Sequence, residues 1–141
     1  MLIAFPLLLI PVVLYNIFAL LQMAGGVNSL AADERLRHGL FSIPMASGGS
    51  WQVGAGDILV LLSLVLLFFE LLKSTSSQKV AIVNHSLSMI LFIVCLVEFL
   101  LLKSFATSTF FLISMMVLLD VLAGFIVTII TARKDFDFAG E

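Results

Sequence analysis

Apolar residues run almost unbroken through four stretches of this chain, at about 2–24, 57–73, 80–103 and 105–131. Each approaches the roughly 20 residues needed to cross a hydrocarbon core about 30 Å thick. The pattern predicts an all-α membrane protein, a four-transmembrane-helix bundle forming a single membrane domain over residues 1–141. Between the first two stretches, residues 25–56 form an extramembrane cap, and residues 132–141 form an acidic tail expected to fray or lie on the surface. Ser74–Gln78 is polar and short, so the second and third spans are expected to be antiparallel neighbours.

Inside the cap the period changes. Asn28 or Ser29 is placed to cap a short helix in which Asp33 and Glu34 precede Arg35, Arg37 and His38, an order that suits the helix dipole. Leu30, Leu36 and Leu40 are expected to lie on the membrane surface. Phe41, Ile43 and Met45 then alternate with other residues, Ser47-Gly48-Gly49-Ser50 offers a turn, and Trp51 and Val53 resume the alternation. This predicts a short β-hairpin in which Pro44 confines its strand to an edge. Two strands alone are marginal in water, so the hairpin needs support from the bundle, the bilayer or a partner. Trp51, with Phe41 and Pro44, is the expected interfacial anchor or docking surface. Asp57 is placed to cap the second span.

Composition sharpens the picture. The chain is 62% hydrophobic and 11% charged, against about 25% charged in soluble domains. A net charge of −2 without a basic cluster argues against a nucleic-acid partner. The single cysteine, Cys95, lies within the third span and reads as a small packing residue. The first stretch lacks a positive n-region, and Gln22-Met23-Ala24 is a poor cleavage site, so it is expected to be a retained span. Pro6 suits an opening turn there, whereas Pro11 is expected to kink the helix. Lys73, Lys79, Arg133 and Lys134 fall on the side of the termini, and Arg35, Arg37 and Lys103 on the other. That excess favours cytoplasmic N- and C-termini.

Ionisable residues within spans are costly and tend to face a bundle interior or a wet cavity. Asp120 lies midway along the fourth span, and Gly124 and Thr128 continue its face in a small-xxx-small pattern that permits close helix approach. Asn84, Ser88, Leu91, Cys95 and Glu98 share one inward face of the third span. By depth, Glu70 and His85 fall toward one side, Asp120 at the middle and Glu98 toward the other. Lys73, three residues after Glu70, is positioned to pair with it. Such a ladder suits staged proton or cation movement, and it equally suits polar glue between helices. The only histidines are His38 and His85, which excludes bis-histidine haem ligation within one chain's spans. Metalloprotease, nucleophile-elbow, P-loop and dinucleotide-binding motifs are missing. No enzyme activity, cofactor or metal is expected.

The segments Phe41-Ser42-Ile43-Pro44-Met45, Ser47-Gly48, Trp51, Gly56-Asp57, Phe69-Glu70, His85-Ser86-Leu87-Ser88, Glu98-Phe99-Leu100 and Asp120-Val121-Leu122-Ala123-Gly124-Phe125 carry a resemblance. Over about residues 39–135 the chain resembles a family of small, uncharacterised four-span proteobacterial inner-membrane proteins. The resemblance implies a bacterial inner-membrane setting and no particular activity. The chain lacks the glycine-rich spans and paired intramembrane glutamates of sodium–proton antiporter and respiratory-complex small subunits. The expected function is a non-enzymatic membrane module. It would self-associate as a homo-oligomer or serve as an accessory subunit among other membrane proteins. The alternative is an oligomeric proton or cation conductor using Asp120, Glu98, Glu70 and His85. A carrier of lipid or of a small apolar ligand, using a cleft between spans, is a third reading.

Overall fold

The computed structural model describes residues 5–26, 29–73 and 78–139. Five α-helices and one hairpin follow in order: α1 (Leu9–Ala24), α2 (Ser29–Arg37), β1 (Gly39–Pro44), β2 (Ser50–Gly54), α3 (Ala55–Lys73), α4 (Gln78–Leu101) and α5 (Ser108–Ala139). A 3-10 turn at Lys103–Phe105 joins the last two helices. The expected cap at Asn28 and the loop residues 74–77 lie outside the described residues.

Three helices are long and apolar enough to cross a membrane: Ala55–Lys73, Ile82–Leu101 and Ser108–Ile130. The α1 helix has 16 residues and so rises only about 24 Å. The first apolar stretch therefore yields a shorter helix than its composition predicts. The two prolines explain the difference. Residues 5–8 form a turn closed by Leu9 N donating to Pro6 O at 3.1 Å and Ile10 N to Leu7 O at 3.0 Å. The helix proper begins at Leu9, which places Pro11 in its first turn. There a missing N–H costs nothing, so Pro11 marks a helix start and not a kink.

The α5 helix is the centre of the bundle. Of its apolar window 39% is buried, against 22% for α3 and α4, and both of those helices pack mainly on it. The expected neighbours α3 and α4 approach each other less closely than either approaches α5. The buried faces follow helical spacing: Ser63, Leu67 and Glu70 on α3; Asn84, Ser88, Leu91 and Cys95 on α4; Phe110, Ile113, Val117 and Asp120 on α5. The backbone of α5 continues to Ala139, where the sequence suggests a tail from residue 132.

The α2 helix packs against α3, the 3-10 turn and α5. Ala32 and Leu36 are buried, while Leu40 is exposed; the side chain of Leu30 lies outside the described residues. Gly54 makes this packing possible, since a Cβ there would sit 2.5 Å from Leu36 O. Arg35 Nη1 donates to Gln22 Oε1 of α1 at 2.8 Å, and Arg37 reaches Asp33 at 2.8 Å and Ser108 Oγ at 3.1 Å. Asp57 sits in the first turn of α3, inside the position expected for a cap. Its carboxylate accepts from Gly54 N at 2.8 Å, as the third residue of a capping box does.

The hairpin is antiparallel, with Phe41 opposite Val53, Ile43 opposite Trp51 and Pro44 opposite Ser50. Its turn closes through Met45 N to Gly49 O and Gly48 N to Met45 O, both 2.9 Å, with Gly48 at φ +84°. That left-handed conformation is where glycine is favoured.

Candidate functional site

The polar residues of the helices form three separate nodes. The first centres on Glu70, one turn from the end of α3 and fully buried. Asn84 Nδ2 of α4 donates to its Oε1 at 2.5 Å, and Lys73 Nζ lies 3.0 Å from the same oxygen. The other oxygen, Oε2, accepts from the backbone N of Leu7 at 2.6 Å. Lys73 Nζ also donates to Phe5 O at 2.6 Å. The two prolines leave backbone groups ahead of α1 without helical partners, and Glu70 and Lys73 satisfy them. One carboxylate thus binds α3, α4 and the segment leading into α1. Unsatisfied backbone groups away from water cost several kcal/mol each, so this arrangement removes an obstacle to burying that segment.

Asp120 lies beside this node and is 3% exposed. Ser88 Oγ donates to its Oδ2 at 2.6 Å, which ties α4 to α5. Asp120 also interacts electrostatically with Glu70, His85 and Lys73. Four residues on, Gly124 abuts the ring of His85 so closely that a Cβ would overlap Nδ1. Thr128 is exposed, and its hydroxyl donates to Gly124 O of its own helix at 2.9 Å. It takes no part in the packing its spacing suggests. Two buried atoms near this node have no hydrogen-bond partner, Asn84 Oδ1 and His85 Nε2.

The second node is the pair Asn16–Glu98. Asn16 Nδ2 donates to Glu98 Oε2 at 3.2 Å and to Val12 O at 3.1 Å. The expected ladder is therefore divided. Glu70, His85 and Asp120 gather in one region, whereas Glu98 turns toward α1.

The third node holds the α4–α5 corner. Tyr15 is fully buried; its hydroxyl lies 2.5 Å from Thr107 Oγ1 and donates to Ser104 O at 3.1 Å. Thr107 Oγ1 also accepts from Phe110 N at 3.2 Å, capping α5. Phe105 and Phe110 stack around the Tyr15 ring, with centroids 5.5 and 4.6 Å away.

Between the first node and the second, α1 and α4 stand apart. The gap is a groove of about 320 Å³ whose walls are apolar from Phe5 to Val13 and from Leu87 to Val94, with Asn16 and Glu98 at one end. Outside the helices, the hairpin exposes Phe41, Ile43, Met45, Pro44 and Trp51, and only Val53 and Gly54 are buried.

Sequence reasoning passed over Tyr15 and Asn16. Their signal was available: a polar group inside an apolar run needs a partner, whether or not it ionises. The part played by Leu7 N had no signal, because it is a backbone group. Among the described residues, no group of three or more histidine, cysteine or acidic side chains is arranged to hold a metal ion. Compared with protein-family models, curated proteins and solved structures, the chain matches none.

Proposed function

We propose that the chain is a small, non-enzymatic integral membrane module that associates with copies of itself or serves as an accessory subunit of a larger membrane complex. In this reading α3, α4 and α5 span the bilayer, and α1 with its anchored leading segment completes a fourth span. The resemblance and the lysine–arginine bias put it in a bacterial inner membrane with cytoplasmic termini.

The observation that carries the reading is the use made of the carboxyls of Glu70, Asp120 and Glu98. Glu70, Asp120 and Glu98 each accept a hydrogen bond from another helix. Groups spent on joining helices are structural ones, and the cap exposes an apolar hairpin suited to docking. Crosslinking in native membranes, followed by sizing in mild detergent, tests this. The expected result is an oligomer or a complex with another membrane protein. A stable lone monomer without crosslinked partners would overturn it.

A second reading, an oligomeric proton or cation conductor, draws support from one observation. Asn84 Oδ1 and His85 Nε2 are buried without partners beside Glu70 and Asp120. Flux through proteoliposomes that disappears in a folded Asp120→Asn variant would establish it.

A further inference from the structure

We propose that the groove between α1 and α4 seats one chain of a phospholipid whose primary ammonium headgroup is held by Glu98. The groove's dimensions suit a lipid chain. Its walls run from Phe5 to Asn16 and from Leu87 to Glu98. At 1.5 Å per residue the α4 wall is roughly 16 Å long, about one leaflet of a ~30 Å core. The residues along α4, Leu87, Ile90, Leu91, Val94 and Glu98, form one continuous helical stripe.

The polar end determines which lipid fits. Glu98 is only partly buried and lies three residues before the end of α4, within reach of the headgroup layer. Among the described residues its carboxylate accepts from Asn16, and no lysine or arginine pairs with it. An ionised carboxylate only accepts hydrogen bonds, so the headgroup must donate. A primary ammonium supplies both donors and the opposite charge, which makes the bond charge-assisted. A trimethylammonium has the charge without an N–H. The two headgroups therefore separate a specific seat from the general lipid shell.

The inference rests on the membrane placement proposed above. The test is reconstitution of the full chain into nanodiscs of phosphatidylethanolamine and phosphatidylcholine with matched chains. Native mass spectrometry then reads the lipid each protein retains and its oligomeric state. The wild type is expected to retain phosphatidylethanolamine in severalfold preference, and Glu98→Gln to lose the preference. Val94→Trp changes an exposed residue of the groove wall and leaves Glu98 intact; it is expected to expel the retained lipid whatever its headgroup. Equal retention of both lipids by the wild type would overturn the proposal. So would a preference that survives Glu98→Gln, or retention unchanged by Val94→Trp. A lone monomer with the lipid preference intact would overturn the association reading and leave the lipid seat standing.

Discussion

Helices α5 and α1 are both apolar and belong to one bundle, yet they are held by different means. The α5 helix is held continuously through its first half, where Phe110, Ile113, Val117 and Asp120 are buried, and it packs mainly on α3 and α4. The α1 helix buries a stripe too, through Val12, Tyr15 and Ala19, but it is also tied at polar points: its leading turn by Glu70 and Lys73, its middle through Tyr15 and Asn16, its end through Gln22 and Arg35. The difference shows how a proline-interrupted segment can join a bundle. Neighbouring side chains satisfy its free backbone groups, while Leu8, Val12, Tyr15 and Ala19 join the buried core. The groove between α1 and α4 is what the sparse contact between those two helices leaves open.

Breaking the first attachment should have the largest effect. Glu70→Ala removes the acceptor shared by Leu7 N, Asn84 and Lys73, leaving a lysine ammonium and a backbone N–H without their partner. Losing one member of a buried ion pair costs about 3–5 kcal/mol. Thermal unfolding in detergent should register the loss. Hydrogen exchange should locate it, with the amides of α1 opening before those of α5. Equal loosening of both helices would erase the distinction between them.

The packed region has its own test in Gly124→Ala. The added methyl overlaps the His85 ring, and overpacking of this kind costs roughly 1–3 kcal/mol, partly offset by the better helix propensity of alanine. Here the loosening should appear in α4 and α5 and spare α1. Tyr15→Phe is milder. The ring and its contacts with Phe105 and Phe110 stay, and only the hydroxyl bonds to Thr107 and Ser104 are lost, for about 1 kcal/mol. Its effect should be confined to α1 and the corner before α5.

The sequence makes the packed region legible and the point attachments largely illegible. The face Asn84, Ser88, Leu91, Cys95 follows from helical spacing alone, and the hairpin follows from a change of period around Ser47-Gly48-Gly49-Ser50. The pairing of Lys73 with Glu70 is a local (i, i+3) relation that spacing also gives. Leu7 with Glu70 and Tyr15 with Ser104 join residues far apart in the chain, and periodicity carries no information about such pairs. The start of α1 was misread for a local reason. The apolar run at 2–24 is continuous, but Pro6 and Pro11 delay the helix to Leu9. Hydropathy measures solubility in lipid and is blind to backbone donors. The division of the carboxyl ladder has a similar cause: depth along a helix was readable, whereas the azimuth that turns Glu98 toward α1 depends on where α1 sits.

Asp120→Asn should have the smallest effect on stability and separates the two functional readings. An asparagine keeps a carbonyl oxygen to accept from Ser88 Oγ, so the link between α4 and α5 survives in altered form. Interhelical hydrogen bonds of this kind average about 0.6 kcal/mol in membrane proteins, which sets the scale of the expected loss. The substitution also removes the ionisable group that interacts electrostatically with Glu70, His85 and Lys73. A joining residue needs the acceptor and not the charge, so association measured by crosslinking should persist in the variant. A conducting residue needs a group that exchanges a proton or holds a cation, and an amide does neither. Intact crosslinking together with unchanged, background-level flux in wild type and variant assigns Asp120 to the packed region. Flux present in the wild type and absent from an equally stable variant would assign it to a pathway, and the unpartnered Asn84 Oδ1 and His85 Nε2 would be the next positions to replace.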